Sequence, residues 1–185
     1  MGIYREMYQL IIVGLAIWVV LWVTVQNYQV SGVSMDPHLR AGDYLLVDKF
    51  NYLYLDGAII DQVIPFTSSD SGVSRSFEMN APNRGDIVVF QYPLDDDQYF
   101  VKRVIGLPNE TVTVEGNAIY INGYKLIEPY IEDTDYSFEH QYSMGDNEYF
   151  VLGDNRNSSN DSRHWGPVQR SQILGKVLYK YWPLN

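Results

Sequence analysis

Tyr99-Phe100-Val101-Lys102-Arg103-Val104-Ile105-Gly106-Leu107-Pro108 is the stretch from which the rest of the chain is read. Branched and aromatic residues make its first seven positions a strand, which Gly106 to Pro108 ends. A period of two puts Phe100, Lys102 and Val104 on one face and Tyr99, Val101, Arg103 and Ile105 on the other. Each face then carries one cation among apolar side chains. On periodicity alone, Lys102 either extends its stem to reach water or is buried. Burial would weaken its hold on a proton and turn a lysine of ordinary pKa, about 10.4, into a working base.

Similar runs lie on both sides of this strand. Tyr44–Phe50 and Asp86–Tyr92 precede it, separated by Gly42-Asp43, Arg84-Gly85-Asp86 and Leu94–Asp97. Thr111–Glu115 and Asn117–Ile121 follow, joined at Gly116. Asn122-Gly123 then predicts a tight hairpin into Tyr124–Ile127. Glu148–Leu152 and Ile173–Tyr181 are the last strands expected. No helical period of any length follows residue 26, so the fold class is mainly β, an antiparallel sheet. Two stretches read as insertions. Asn51 to Asn83 ends in the polar run Thr67–Ser76, expected to be a flexible loop. Residues 106–147 hold the hairpins and an acidic, Tyr-rich stretch from Glu128 to Glu139, expected to be a small β lobe set into a core of 27–105 and 148–185.

The N-terminus is of a different kind. No charged side chain occurs from Met7 to Met35, and Leu10 to Val25 is almost purely apolar. At about 1.5 Å per residue, a helix from Met7 to Val25 reaches about 28 Å, roughly the hydrocarbon core of a bilayer. Trp18 and Trp22 share a helical face, and Tyr4, Tyr8 and Tyr28 sit where an aromatic belt would lie. A cleavable leader and a buried core helix are the competing readings. The run is long for the first and lacks the polar face of the second. The expectation is a single transmembrane helix over 7–26 with residues 1–6 in the cytoplasm. Arg5 before the span weakly favours that orientation, which places all that follows on the extracytoplasmic side of the cell membrane.

Composition narrows the function. Among 185 residues there is no Cys, which removes thiolate nucleophiles, disulfides and Cys-held metal. A net charge of −10 with 13 scattered basic residues argues against binding nucleic acid. Three scattered His give no metal-ligand spacing, so neither a metal nor a cofactor is expected. A Ser–His–Asp triad finds no support either: His38 lies in a loop four residues from the candidate serine, and His140 sits in the acidic stretch.

Three segments remain that could carry chemistry. In Ser31-Gly32-Val33-Ser34-Met35-Asp36-Pro37, Ser34 lies on a tight bend between Gly32 and Pro37. A serine there can offer its hydroxyl as nucleophile and its own N–H to the same carbonyl. Lys102 is the second. The third is Gly153-Asp154-Asn155-Arg156 with Ser159, Asp161 and Arg163, a polar loop able to hydrogen-bond itself into a rigid shape. Each taken alone is also compatible with an ordinary turn or surface side chain.

In this order, behind an N-terminal span, and with Gly85–Phe90 between them, the segments resemble the bacterial type I signal peptidases. These are membrane-anchored Ser/Lys proteases that cut leader peptides from exported proteins, and the resemblance covers essentially the whole chain. It implies Ser34 as nucleophile, Lys102 as general base, Ser159 as the hydroxyl that orients the lysine, and Asp161 and Arg163 as a buried bracing pair. Asp154 and Asn155 fall in the same supporting motif. Ser34 and Gly32 would face the oxyanion, and Val30, Met35, Leu39, Phe100 and Val101 the substrate. Small pockets would suit the small-x-small signature of leader peptides. Partners implied are signal-peptide-bearing preproteins and the lipid bilayer. The chain departs from the pattern in three places. Gly32 stands where some relatives have a second oxyanion-donating serine, His38 replaces the usual Thr, and Asn109-Glu110 replaces Gly-Asp. A non-catalytic anchored relative serving as an assembly partner in surface-appendage biogenesis is the alternative, which loss of the Ser or the Lys would mark.

Overall fold

Ile87-Val88-Val89-Phe90 and Phe150-Val151-Leu152 have no polar alternation, so strands made from them need cover on both faces. The computed structural model supplies that cover. It describes residues 2–55, 57, 76–131 and 139–183, without the side chains at 2, 3 and 20–23. The expected polar loop Thr67–Ser76 falls outside the described residues except for its last position, as do residues 132–138 of the acidic stretch.

A seven-stranded sheet forms the body. Its strands are β1 (Val25–Gln29), β2 (Tyr44–Asp48), β5 (Ile87–Tyr92), β6 (Asp95–Gly106), β11 (Glu148–Leu152), β12 (Val168–Gln169) and β13 (Ile173–Trp182). They lie in the order β1-β2-β13-β5-β6-β11-β12, and every pairing is antiparallel. On one face Val88, Phe90, Val104 and Val151 pack with Tyr149, Val168 and Ile173, while Phe100 and Trp165 lean on them. On the other, Val89 joins Val30, Met35, Leu39, Leu45 and Val47. Further along that face Ile105, Phe150 and Leu152 meet Val112, Val114 and Ile119. The alternation read along Tyr99–Ile105 therefore holds, but with both faces buried.

The second sheet has the order β10-β7-β8-β9, from β7 (Thr111–Glu115), β8 (Ala118–Ile121), β9 (Tyr124–Lys125) and β10 (Glu139–Ser143). Ile121 pairs with Tyr124 across Asn122 (φ 51°) and Gly123 (φ 84°), the two left-handed positions that a two-residue hairpin of this kind requires. Its apolar side, Val112, Val114 and Ile119, closes against the main sheet, so the small lobe shares a core with the body. β10 was not expected. Four of its five residues, Glu139, His140, Gln141 and Ser143, are exposed and polar, which hides the pattern. A two-stranded ribbon, β3 (Tyr54–Leu55) with β4 (Phe77–Glu78), closes the root of the other insertion.

Among the described residues the helical elements are α1 (Gly2–Thr24), a single turn α2 (Ser162–Trp165) and two 3-10 turns, with Gly57 helical besides. The expected anchor over 7–26 stops two residues early. Val25 and Gln26 already pair with Asp48 and Val47, because a β-branched residue beside an open sheet edge gains more from the ladder than from one further helical turn. α1 thus passes into β1 without a linker. Among the described residues no helix is long and apolar enough to cross a membrane.

Phe150 is fully buried between lobe and body, its ring 4.7 Å from that of Tyr142 and tilted 44° to it. Phe150→Ala is expected to cost about 3–5 kcal/mol, read from the denaturant midpoint of the purified protein.

Candidate active site

Ser34 is delivered by the turn after β1. Val30 N–H bonds the Asp43 carbonyl and Gly42 N–H returns to the Val30 carbonyl, pinning both ends of the loop, while Met35 and Leu39 anchor its middle in the core. Lys102 comes from the centre of β6, facing Val88 of β5 in the ladder. The two meet: Lys102 Nζ lies 2.7 Å from Ser34 Oγ and 3.1 Å from the Val101 carbonyl oxygen. Only 4% of Lys102 is exposed. The Phe100 ring covers the amine at 5.3 Å. Burial lowers its pKa to about 8, against the opposing fields of Asp161 and Asp154.

Around this pair the loop from Gly153 to Arg163 is fixed by buried ion pairs. Arg103 binds Asp154 with two bonds, Nε to Oδ1 at 2.8 Å and Nη2 to Oδ2 at 2.6 Å, and its Nη1 donates to the Gly85 carbonyl. Arg163 binds Asp161 in the same manner at 2.8 and 2.9 Å, and also donates to the Arg156 carbonyl. Asp161 caps α2 through the Arg163 N–H and accepts from the Gly153 N–H. Asp154 and Asn155 touch the nucleophile turn directly. Asn155 N–H donates to the Ser34 carbonyl at 3.0 Å and its Nδ2 to the Val33 carbonyl at 3.2 Å, while His38 Nδ1 stands 3.3 Å from Asp154 Oδ2. Gly153 has to be glycine for a steric reason, since a Cβ there would overlap Ser159 Oγ and the Ser34 carbonyl.

The hydrogen bond expected from Ser159 to Lys102 is not made. The Ser159 hydroxyl is buried and has no partner among the described residues. The side chain fills the gap beside Gly153, and the lysine spends its bonds on Ser34 and its own strand.

A cleft of about 300 Å³ opens beside Ser34 and Lys102. Gly32, Val30, Phe100 and Val101 line it as expected from the sequence. Met35 and Leu39 do not; both are core residues, because the turn needs apolar side chains underneath to hold its shape. The cleft also takes in Tyr28, Gln29, Tyr99, Ser158 and Asn160, which the sequence reading passed over. The Tyr28 and Tyr99 rings lie 6.2 Å apart, one on β1 and one on β6. Over Tyr99–Lys102 the edge of β6 away from β5 has no strand partner among the described residues, since β11 pairs only with Arg103 and beyond. At Gly32 a side chain would meet nothing within 4 Å, so the cleft is open there. Among the described residues no group of three or more acidic or His side chains gathers to hold a metal ion.

A hydroxyl in hydrogen-bond contact with a desolvated amine, beside a cleft bordered by free strand edge, is the arrangement of a hydrolase acting on extended peptides. The comparisons specify the class. Residues 4–182 match the family model described as signal peptidase, peptidase S26. Signal peptidase I of Bacillus caldolyticus is 36% identical over 173 residues, covering 86% of this chain and 80% of that protein. Signal peptidase I of Leptolyngbya laminosa is 37% identical over 161 residues, covering 82% of this chain and 66% of that one. A signal peptidase I crystal structure from Enterococcus faecalis V583 aligns with a TM-score of 0.48 and 35% identity, covering 54% of this chain and 98% of that chain. The chain belongs to the signal peptidase family of S26 peptidases and is a serine endopeptidase of the type that removes signal peptides.

Proposed function

We propose that this chain cleaves signal peptides from exported preproteins with Ser34 as nucleophile and Lys102 as general base. The observation that carries the reading is the 2.7 Å approach of a buried lysine amine to a serine hydroxyl. The neutral amine takes the hydroxyl proton as Ser34 Oγ attacks the scissile carbonyl carbon. The ammonium then gives that proton to the leaving amine as the C–N bond breaks, which leaves an ester on Ser34. Water, deprotonated by the same amine, hydrolyses the ester and restores the hydroxyl. The Ser34 N–H would stabilise the developing oxyanion, and since Gly32 has no side chain to donate, the second donor is left to backbone or solvent.

The substrate would enter as an extended strand against the free edge of β6 at Tyr99–Lys102, with Val30, Phe100 and Val101 shaping shallow pockets for small side chains. Asp154 and Asn155 hold the nucleophile turn, and Asp161 with Arg163 braces the loop beneath it. Ser159 takes part by filling space at Gly153.

α1 serves as the membrane anchor of this head, with the head on the extracytoplasmic side. What supports it is the run of apolar residues on α1 that the body leaves uncovered, from Leu10 at 72% exposed to Trp18 at 62%. The small lobe of 106–147 belongs to the catalytic unit through its shared core.

Ser34→Ala and Lys102→Ala are each expected to leave a precursor uncleaved while wild type processes it, in a gel-shift assay with purified protein. Full processing by either variant refutes the dyad. Because the folded amine has a pKa of about 8, its neutral form is about one molecule in ten near pH 7. The rate should therefore climb as pH rises through about 8 and fall away below it, so a rate that stays flat down to about pH 5 contradicts a lysine base. The anchor is checked by alkaline carbonate extraction: the full chain stays with the membrane pellet, and a chain starting at Val25 does not. Release of the full chain into the supernatant would refute it.

A further inference from the structure

Residues Leu126–Ile131, on the way out of the small lobe, cross over the back of the proposed site. Glu128 reaches the buried Arg156 guanidinium, with Arg156 Nη1 donating to Oε2 at 3.1 Å and Nη2 to Oε1. Arg156 is 3% exposed and its Nε also donates to the Gly153 carbonyl. Two residues on, the Arg103 guanidinium lies over the Tyr130 ring, its central carbon 4.1 Å from the ring centroid, while the phenol donates to Glu128 Oε1 at 2.8 Å. His38, from the nucleophile turn, meets the same ring edge-on at 6.2 Å. One aromatic ring thus touches both partners of Asp154.

The consequence runs along bonds already described. Arg103 and His38 fix Asp154, and Asn155 beside it holds the Ser34 and Val33 carbonyls. A guanidinium open to water on one face can swing about its carboxylate, whereas one covered by a ring stays in plane. We propose that Tyr130, held in place by Glu128, is a positioning residue of the catalytic turn: it locks the Arg103–Asp154 pair and through Asn155 sets where Ser34 stands relative to Lys102. The small lobe is then a working part of the enzyme, since it supplies the segment that completes the support of the nucleophile. Neither Glu128 nor Tyr130 lines the cleft, so substrate binding does not pass through them.

This rests on Ser34 and Lys102 as the dyad, and the test separates the two ideas. The full chain in detergent is assayed on a signal-peptide-containing peptide, comparing wild type, Tyr130→Leu, Tyr130→Phe and Ser34→Ala. Tyr130→Leu is expected to lower kcat about tenfold, within the range that a small misplacement of reacting groups produces, with KM changed by less than about twofold. Tyr130→Phe, which keeps the ring over Arg103, is expected to restore kcat to within about twofold of wild type. Should Tyr130→Leu unfold, Tyr130→Met, of similar length and better able to fill the gap, takes its place with the same expectation. An unchanged kcat in the Leu or Met variant overturns the proposal, as does a Phe variant no better than Leu, or a loss that appears in KM instead. Full cleavage by Ser34→Ala would instead overturn the dyad.

Discussion

A lysine amine kept out of water beside a hydroxyl is the condition from which this architecture follows. Lys102 cannot be desolvated by a bare surface strand: β5 pairs with β6 at this position, the Ser34 turn and the Phe100 ring close on the amine, and β11 joins β6 only from Arg103 onward. Nor can the amine be left among carboxylates alone, which would return its proton affinity to the usual range. Asp154 and Asp161 are both felt at Lys102, and each is bound by its own arginine in two places. The paired arginines let the site keep the hydrogen-bonding reach of two acids while limiting their pull on the lysine proton.

These ion pairs are poor candidates for net stabilisation, because each bears the cost of leaving water. Their value here is directional. A bidentate guanidinium–carboxylate pair has one planar geometry, and the loop from Gly153 to Arg163 is held by two of them together with the Glu128–Arg156 contact. That loop in turn carries Asn155 to the Ser34 carbonyl. Buried basic residues thus absorb a large share of a small supply. Lys102, Arg103, Arg156, Arg163 and Arg170 are all buried in a chain with only 13 Lys and Arg. The remaining surface is correspondingly acidic, a property that keeps such a head soluble and away from polyanions.

The central strands were readable because their residues leave no choice: Ile87–Phe90 and Glu148–Leu152 are too apolar for any exposed element, and Asn122-Gly123 fits little else than a hairpin. Ser34 and Lys102 could be singled out one at a time as a serine on a bend and a cation in an apolar strand. Periodicity could not show that they meet, since 68 residues separate them, and only their order along the chain made the pairing visible. Other features were hidden for physical reasons. β10 is polar and exposed, so its strand character comes from β7 and not from its own sequence. Met35 and Leu39 look the same in sequence whether they face a cleft or support a turn. Ser159 occupies a motif position without making the bond that position implies, and a hydroxyl's orientation leaves no mark on the sequence pattern.

The unbroken passage from α1 into β1 gives this enzyme a measure of length. Nine residue steps lead from Val25 to Ser34, and even fully drawn out they span no more than about 32 Å. The first five residues are stitched to β2, so they can neither stretch nor swing. Were α1 the anchor proposed above, the height of Ser34 over the lipid would be built in, and a peptide bond would be tested for altitude before its side chains are tested for size. Two substrates with identical small residues around the cut would then be told apart by how far their own hydrophobic segment lifts that bond from the membrane.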